Sequence, residues 1–148
     1  MPPLKPGVEA PEVPGVEREG TRVLFFYKVT CPTCQISAPI AERFHDLVGE
    51  RFVGIGQDPS EKLERFAAEY HATFTAVSDE PPYALSDAYG IRTVPTVFVL
   101  DGGTVVDVVE SWDRDGWNRV AAKTGELLGT PAEALSWEGD GLPPFRPG

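Results

Sequence analysis

The chain has 148 residues, a length that suits one domain with a hydrophobic core of its own. Lys and Arg number 13 against 23 Asp and Glu, and the resulting charge of −10 argues against nucleic acid as a partner. No run approaches the ~18–20 apolar residues of a membrane span, and only two cysteines occur, too few and too close for a disulfide-stapled scaffold.

Residues 1–20 are rich in Pro, Gly and Glu and lack the apolar stretch of a secretory signal. This predicts a cytoplasmic protein, or an extracytoplasmic one if a leader has been removed. The composition divides the chain into a lead segment over 1–12, a domain over 13–129 and an irregular tail over 130–148. A short strand is expected near Val13 to Val16.

The run Val23-Leu24-Phe25-Phe26-Tyr27 is continuously apolar and β-prone, as in a strand covered on both faces. Ile36, Ile40, Phe44, Leu47 and Val48 then recur at helical spacing, predicting a helix from about Cys34 to Val48, stopped by Gly49 and kinked at Pro39. Phe52 to Ile55 reads as a second buried strand. Asp58-Pro59-Ser60-Glu61 has the pattern of a helix start, with Asp58 as cap and Pro59 in first position. Leu63, Phe66, Ala67 and Tyr70 form the stripe of that helix. Phe74 to Val77 predicts a short strand, and Tyr83 to Tyr89 a short helix closed by Gly90. Thr96 to Leu100, the turn Asp101-Gly102-Gly103, and Thr104 to Val109 form a hairpin. Trp117, Val120, Ala121, Thr124 and Leu127 define a last helix ending at Gly129. Strands alternating with helices, followed by a hairpin, imply an α/β fold with a mixed central sheet flanked by helices.

The chemistry lies in Cys31-Pro32-Thr33-Cys34, at the junction of a buried strand and a helix. A helix N-terminus presents free N–H groups and a positive partial charge, which favour a thiolate over a thiol. The first cysteine gains most, so Cys31 is the expected nucleophile and Cys34, one turn inside, the resolving thiol. Pro32 fits the first turn, where a missing N–H costs nothing. Two plainer readings compete with this one. The cysteines could be buried hydrophobes, or half of a zinc site, whose missing ligands could come only from His45 and His71. Neither histidine has a recognisable ligand spacing with the pair, so no metal and no cofactor is expected. A second signal is Thr93-Val94-Pro95-Thr96, just before a strong strand. Proline belongs at a strand's first position or edge, and a cis bond there would present the Val94 backbone to an extended chain.

Taken together, these residues resemble the thioredoxin superfamily over roughly residues 7–128. Cys31-Pro32-Thr33-Cys34 with Pro39 resembles its redox motif and the proline that follows, and Thr93-Val94-Pro95-Thr96 its cis-proline segment. Gly7-Val8-Glu9-Ala10-Pro11 and Val53-Gly54-Ile55-Gly56 are similar to the redoxin and TlpA-like branch, with an extra helix and strand over Pro59 to Val77. The resemblance implies a thioredoxin-like fold and thiol–disulfide exchange with protein thiols or disulfides and a redox partner. It also implies contacts of Val94, Pro95, Pro32 and Thr33 with the substrate. Three departures stand out. Phe25 occupies the place of the buried acid, Thr30 that of the tryptophan before the first cysteine, and the order is Cys-Pro-x-Cys rather than Cys-x-Pro-Cys. Lys28, Glu42 and solvent are then the candidates for taking the Cys34 proton.

The competing functions are a thiol peroxidase, a copper chaperone and a redox-inert binding module on the same fold. The peroxidatic pattern Pro-x-x-x-Thr-x-x-Cys is absent, since Thr30 is adjacent to Cys31. The chaperone spacing is longer and needs a late histidine. An inert module has no use for both cysteines.

Overall fold

The computed structural model describes residues 2–148. Five strands form the main sheet: β1 (Thr21–Tyr27), β2 (Phe52–Gly56), β3 (Thr75–Ser78), β4 (Thr96–Asp101) and β5 (Thr104–Glu110), in the spatial order β3-β2-β1-β4-β5. β1, β2 and β3 run parallel, while β4 and β5 pair antiparallel, so the sheet is mixed. The helices are α1 (Pro32–Val48), α2 (Ser60–Tyr70), α3 (Ala84–Ala88) and α4 (Arg114–Leu128). A second, two-stranded ribbon joins β6 (Trp112–Asp113) to β7 (Phe145–Arg146). Among the described residues no helix is long and apolar enough to cross a membrane.

The continuous apolar run in β1 follows from its place at the centre. Val23, Phe25 and Tyr27 enter one core with α1, α2 and α4, while Leu24 and Phe26 enter a second core with Tyr89, Phe98 and Leu100. Successive side chains alternate across a strand, so only a sheet covered on both faces needs every position apolar. Phe25 lies at the middle of the first core, stacked on Tyr27 with centroids 5.0 Å apart and edge-on to Trp117 at 5.8 Å. The two glycines of β2 let neighbours close in. A Cβ on Gly54 would meet the Phe74 ring at 2.6 Å, and one on Gly56 would meet Leu63 at 2.2 Å. The inserted α2–β3 unit therefore docks directly on backbone.

Several sequence expectations need correction. Val13 to Val16 forms a turn, closed by the Val16 N–H on the Val13 carbonyl at 3.0 Å, and not a strand. The lead segment is packed against the domain. Glu9 bridges Thr104, the Gly7 and Ala10 N–H groups bond the Val105 and Gly103 carbonyls at 2.8 Å, and Ala10 is buried. Asp58 does not cap α2. Pro59 occupies the cap position without a side-chain bond, and the Asp58 carboxylate turns to the cysteine loop instead.

The segment 130–148 is mostly irregular, yet it is built into the domain. Leu135 and Ser136 are buried, and Asn118 bonds both, accepting from the Leu135 N–H at 2.8 Å and donating to the Ser136 carbonyl at 2.8 Å. Arg114 reaches the Leu142 carbonyl at 2.8 Å and Asp140 at 3.2 Å, and Trp112 Nε1 donates to the Pro143 carbonyl at 2.7 Å.

Candidate active site

β1 ends at Tyr27, and four residues later Cys31 caps α1. Its backbone is extended (φ −81°, ψ 117°) and its Sγ accepts the Cys34 N–H at 3.2 Å, filling the role usually taken by a Ser or Asp oxygen. Pro32 takes the first helical position and is exposed. The loop before the cap is held by side chains. Asp58 accepts the Val29 N–H at 2.9 Å, and Gln35 Nε2 donates to the Val29 carbonyl at 2.9 Å. Lys28 Nζ lies 4.0 Å from Asp58 and 5.5 Å from the centre of the Tyr83 ring.

The two thiols occupy contrasting surroundings. Cys34 is fully buried, whereas Cys31 is partly exposed. The hydrogen bond from the Cys34 thiol lowers the Cys31 thiol most. The backbone N–H groups of Cys34 and Thr33 and the charge of Arg146 add to it, and together they outweigh burial and bring Cys31 to about 6. Burial pushes the Cys34 thiol up, as do its bond to Cys31 and the charges of Cys31 and Asp58. The bond between the thiols and their unequal burial therefore favour a thiolate at Cys31 and a protonated thiol at Cys34.

Val94 and Pro95 stand opposite the cysteines. The Val94–Pro95 peptide is cis, and a protonated Cys31 donates to the Val94 carbonyl at 3.5 Å. Pro95 is buried and its carbonyl accepts the Ser111 N–H at 2.7 Å. Thr33 is buried too, but it faces the other end of the chain: its Oγ1 donates to the Pro147 carbonyl at 2.7 Å. The sequence singled out Cys31, Cys34, Pro32, Thr33, Val94 and Pro95. Sulfur and backbone contacts join Cys31, Cys34 and Val94, while Thr33 and Val94 also border the tail.

Two groups were missed. Asp58 is the carboxylate whose charge reaches Cys34, and it stands where a cap was expected. Arg146 reaches Cys31 from the tail. Leu135 and Leu142 in that Pro- and Gly-rich tail are the apolar signal that it packs, the first buried and the second set against the core. Glu42, a candidate for the Cys34 proton, is occupied elsewhere, accepting from the Thr73 N–H at 2.9 Å and sitting 3.2 Å from His45. Glu42, His45 and Asp46 bring their ligand atoms within 4.8 Å of one another, a grouping that includes neither cysteine. His71 is exposed at the end of α2.

Residues 12–109 match the AhpC/TSA family. No curated protein matches the chain in sequence. Among solved structures the chain is similar to MTB DsbF, at 27% identity and TM-score 0.62, covering 73% of this chain and 81% of that one. It is also similar to the thiol:disulfide interchange protein DsbE from Chlorobium tepidum, at 23% identity and TM-score 0.69 over 90% and 99% of the two chains. A third likeness is the thioredoxin domain of a thiol-disulfide oxidoreductase from Bacteroides vulgatus, at 18% identity and TM-score 0.66 over 79% and 96%. The match over residues 12–109, together with the strand order shared with these structures, gives the conclusion: this chain has the thioredoxin fold and belongs to the AhpC/TSA family.

Proposed function

We propose that the protein is a thiol–disulfide oxidoreductase that exchanges disulfides with protein partners through Cys31 and Cys34. The observation that carries this reading is the division between the thiols, with Cys31 low and accessible, and Cys34 buried and protonated. Similarity to DsbF, at 27% identity, supports the same class.

In the reducing direction the Cys31 thiolate attacks one sulfur of a partner disulfide. The partner's S–S bond breaks, its other sulfur leaves as a thiolate and takes a proton, and a mixed disulfide forms on Cys31. That step removes the Cys31 charge, one of the causes that keep Cys34 protonated. Cys34 then loses its proton and attacks the Cys31 sulfur, and the partner departs as a dithiol. Two electrons have passed to the partner, and the chain holds a Cys31–Cys34 disulfide. A second dithiol partner restores the pair, and every step reverses for oxidation of a substrate dithiol.

The test is trapping. Cys34→Ser accumulates mixed disulfides with a protein disulfide, and Cys31→Ser forms none. Trapping through Cys34, or a pair that does not cycle with a thiol buffer, overturns the assignment. The AhpC/TSA match favours a second reading, thiol peroxidase, in which Cys31 takes oxygen from a peroxide. Peroxide consumption faster than disulfide exchange would select it.

A further inference from the structure

Residues 145–148 lie on the face that a partner must reach. β7 pairs with β6, with Arg146 opposite Trp112 and Phe145 opposite Asp113. The Pro147 carbonyl takes the Thr33 hydroxyl at 2.7 Å, and the Gly148 N–H reaches Ser111 Oγ at 3.2 Å. A Cβ built on Gly148 would lie 2.0 Å from the Val94 carbonyl oxygen and 2.3 Å from Thr93 Oγ1. The same Val94 carbonyl is the one that Cys31 touches. An extended chain beside the cysteines needs the space along the Val94 backbone, and Gly148 already occupies it.

We propose that residues 145–148 are a strap seated across the partner-binding side of the redox site, which a protein substrate displaces before its sulfur reaches Cys31. This rests on the reading of Cys31 and Cys34 as an exchange pair. The strap is lightly held. Residues 143–148 are exposed, Phe145 by 55%, and the paired strand is two residues long. Just upstream, by contrast, buried Leu135 and Ser136 and the bonds of Arg114, Asn118 and Trp112 anchor the chain. Short exposed pairings open locally at small cost, so residues 145–148 can lift while residues 135–142 stay fixed. The tight approach at Gly148 leaves no room for a side chain, which suits a snug internal occupant. Cys31 stays partly exposed beneath the strap, so small reagents pass where a folded or extended protein does not.

Three proteins decide it: the parent chain, a chain ending at Pro144, and the full chain with Gly148→Ala. The last keeps Arg146 and removes only the close seat. Reduction of insulin disulfides, with dithiothreitol as electron source, reads access by a protein. The shortened chain is expected to run about tenfold faster, because apparent affinity falls with the fraction of open sites. Gly148→Ala is expected to gain at least about twofold by the same argument. Alkylation of Cys31 by iodoacetamide at about pH 8, where the thiolate is complete in all three, should differ by less than about twofold. Rates equal to or below the parent in either folded variant overturn the strap while leaving the exchange reading intact. No insulin reduction by any of the three overturns both.

Discussion

The strand-to-helix junction carrying the cysteines and the tail that crosses it are held in opposite ways. Residues 28–34 are fastened by Asp58 on the Val29 N–H and by Gln35 of α1 on its carbonyl, and Cys34 shares a core with Phe25 and Tyr27. Residues 145–148 touch the same site through a two-residue pairing and a few bonds at the surface. Thiolate chemistry depends on N–H groups fixed in place, and admission of a partner depends on something that can move. The molecule separates the two demands between two stretches of chain.

The firm side breaks most at its root. Phe25→Ala should cost about 3–5 kcal/mol in denaturant unfolding, since it empties the centre of the aromatic core. Asp58→Ala should cost about 1–3 kcal/mol by stranding the Val29 N–H. It should also let the Cys34 thiol fall toward its ordinary value, measured by alkylation against pH in a Cys31→Ser background. A loss confined to α2 would mean that Asp58 acts as a helix cap after all.

The loose side should respond locally. Trp112→Phe removes the bond to the Pro143 carbonyl and leaves a gap beside Trp117, for a loss of about 1–3 kcal/mol. Amide exchange should quicken over 143–148 and stay unchanged in residues 28–34; equal quickening in both would mean that the two stretches are held alike. The smallest effect joins the two stretches. Cys31 alkylation should show a midpoint at about 6, and Arg146→Gln should move it upward, because the lost guanidinium favoured the thiolate. Folding linkage has a definite sign. Cys31 is depressed by folding, so the reduced protein gains stability as pH rises from about 6 toward the free-thiol value near 8.5. Cys34 is raised by folding, so stability falls again above that value. The oxidised protein lacks both thiols and should show neither slope.

Much of this was legible in the sequence. The apolar run of β1, the helical stripe after Cys34, the hairpin around Asp101-Gly102-Gly103 and the Gly129 stop depend on local periodicity and turn chemistry, which a short window contains. The sequence also marked Cys31, Cys34 and the Val94-Pro95 segment. Asp58 was misread because Asp-Pro-Ser-Glu satisfies a local capping rule, while its actual partner, Val29, lies 29 residues away. The meeting of Pro147 with Thr33 spans 114 residues and involves a backbone carbonyl, for which no side-chain pattern exists. Val13 to Val16 has β-prone ends, but Pro14 and Gly15 between them turn the chain.

The bridge from Glu9 to Thr104 bears on how the protein behaves in a crowded solution. A sheet with a bare rim is a template on which further chains can add and grow into fibres. Here the first part of β5 already has a companion, through the Gly7, Val8 and Ala10 backbone. Farther along, β5 carries Asp107 and Glu110, each paired with an arginine, Arg119 and Arg92. At the other rim β3 offers only four residues. Ordered association at the β5 rim therefore begins by peeling the N-terminal segment away, and a change that frees residues 7–10 should raise aggregation on standing.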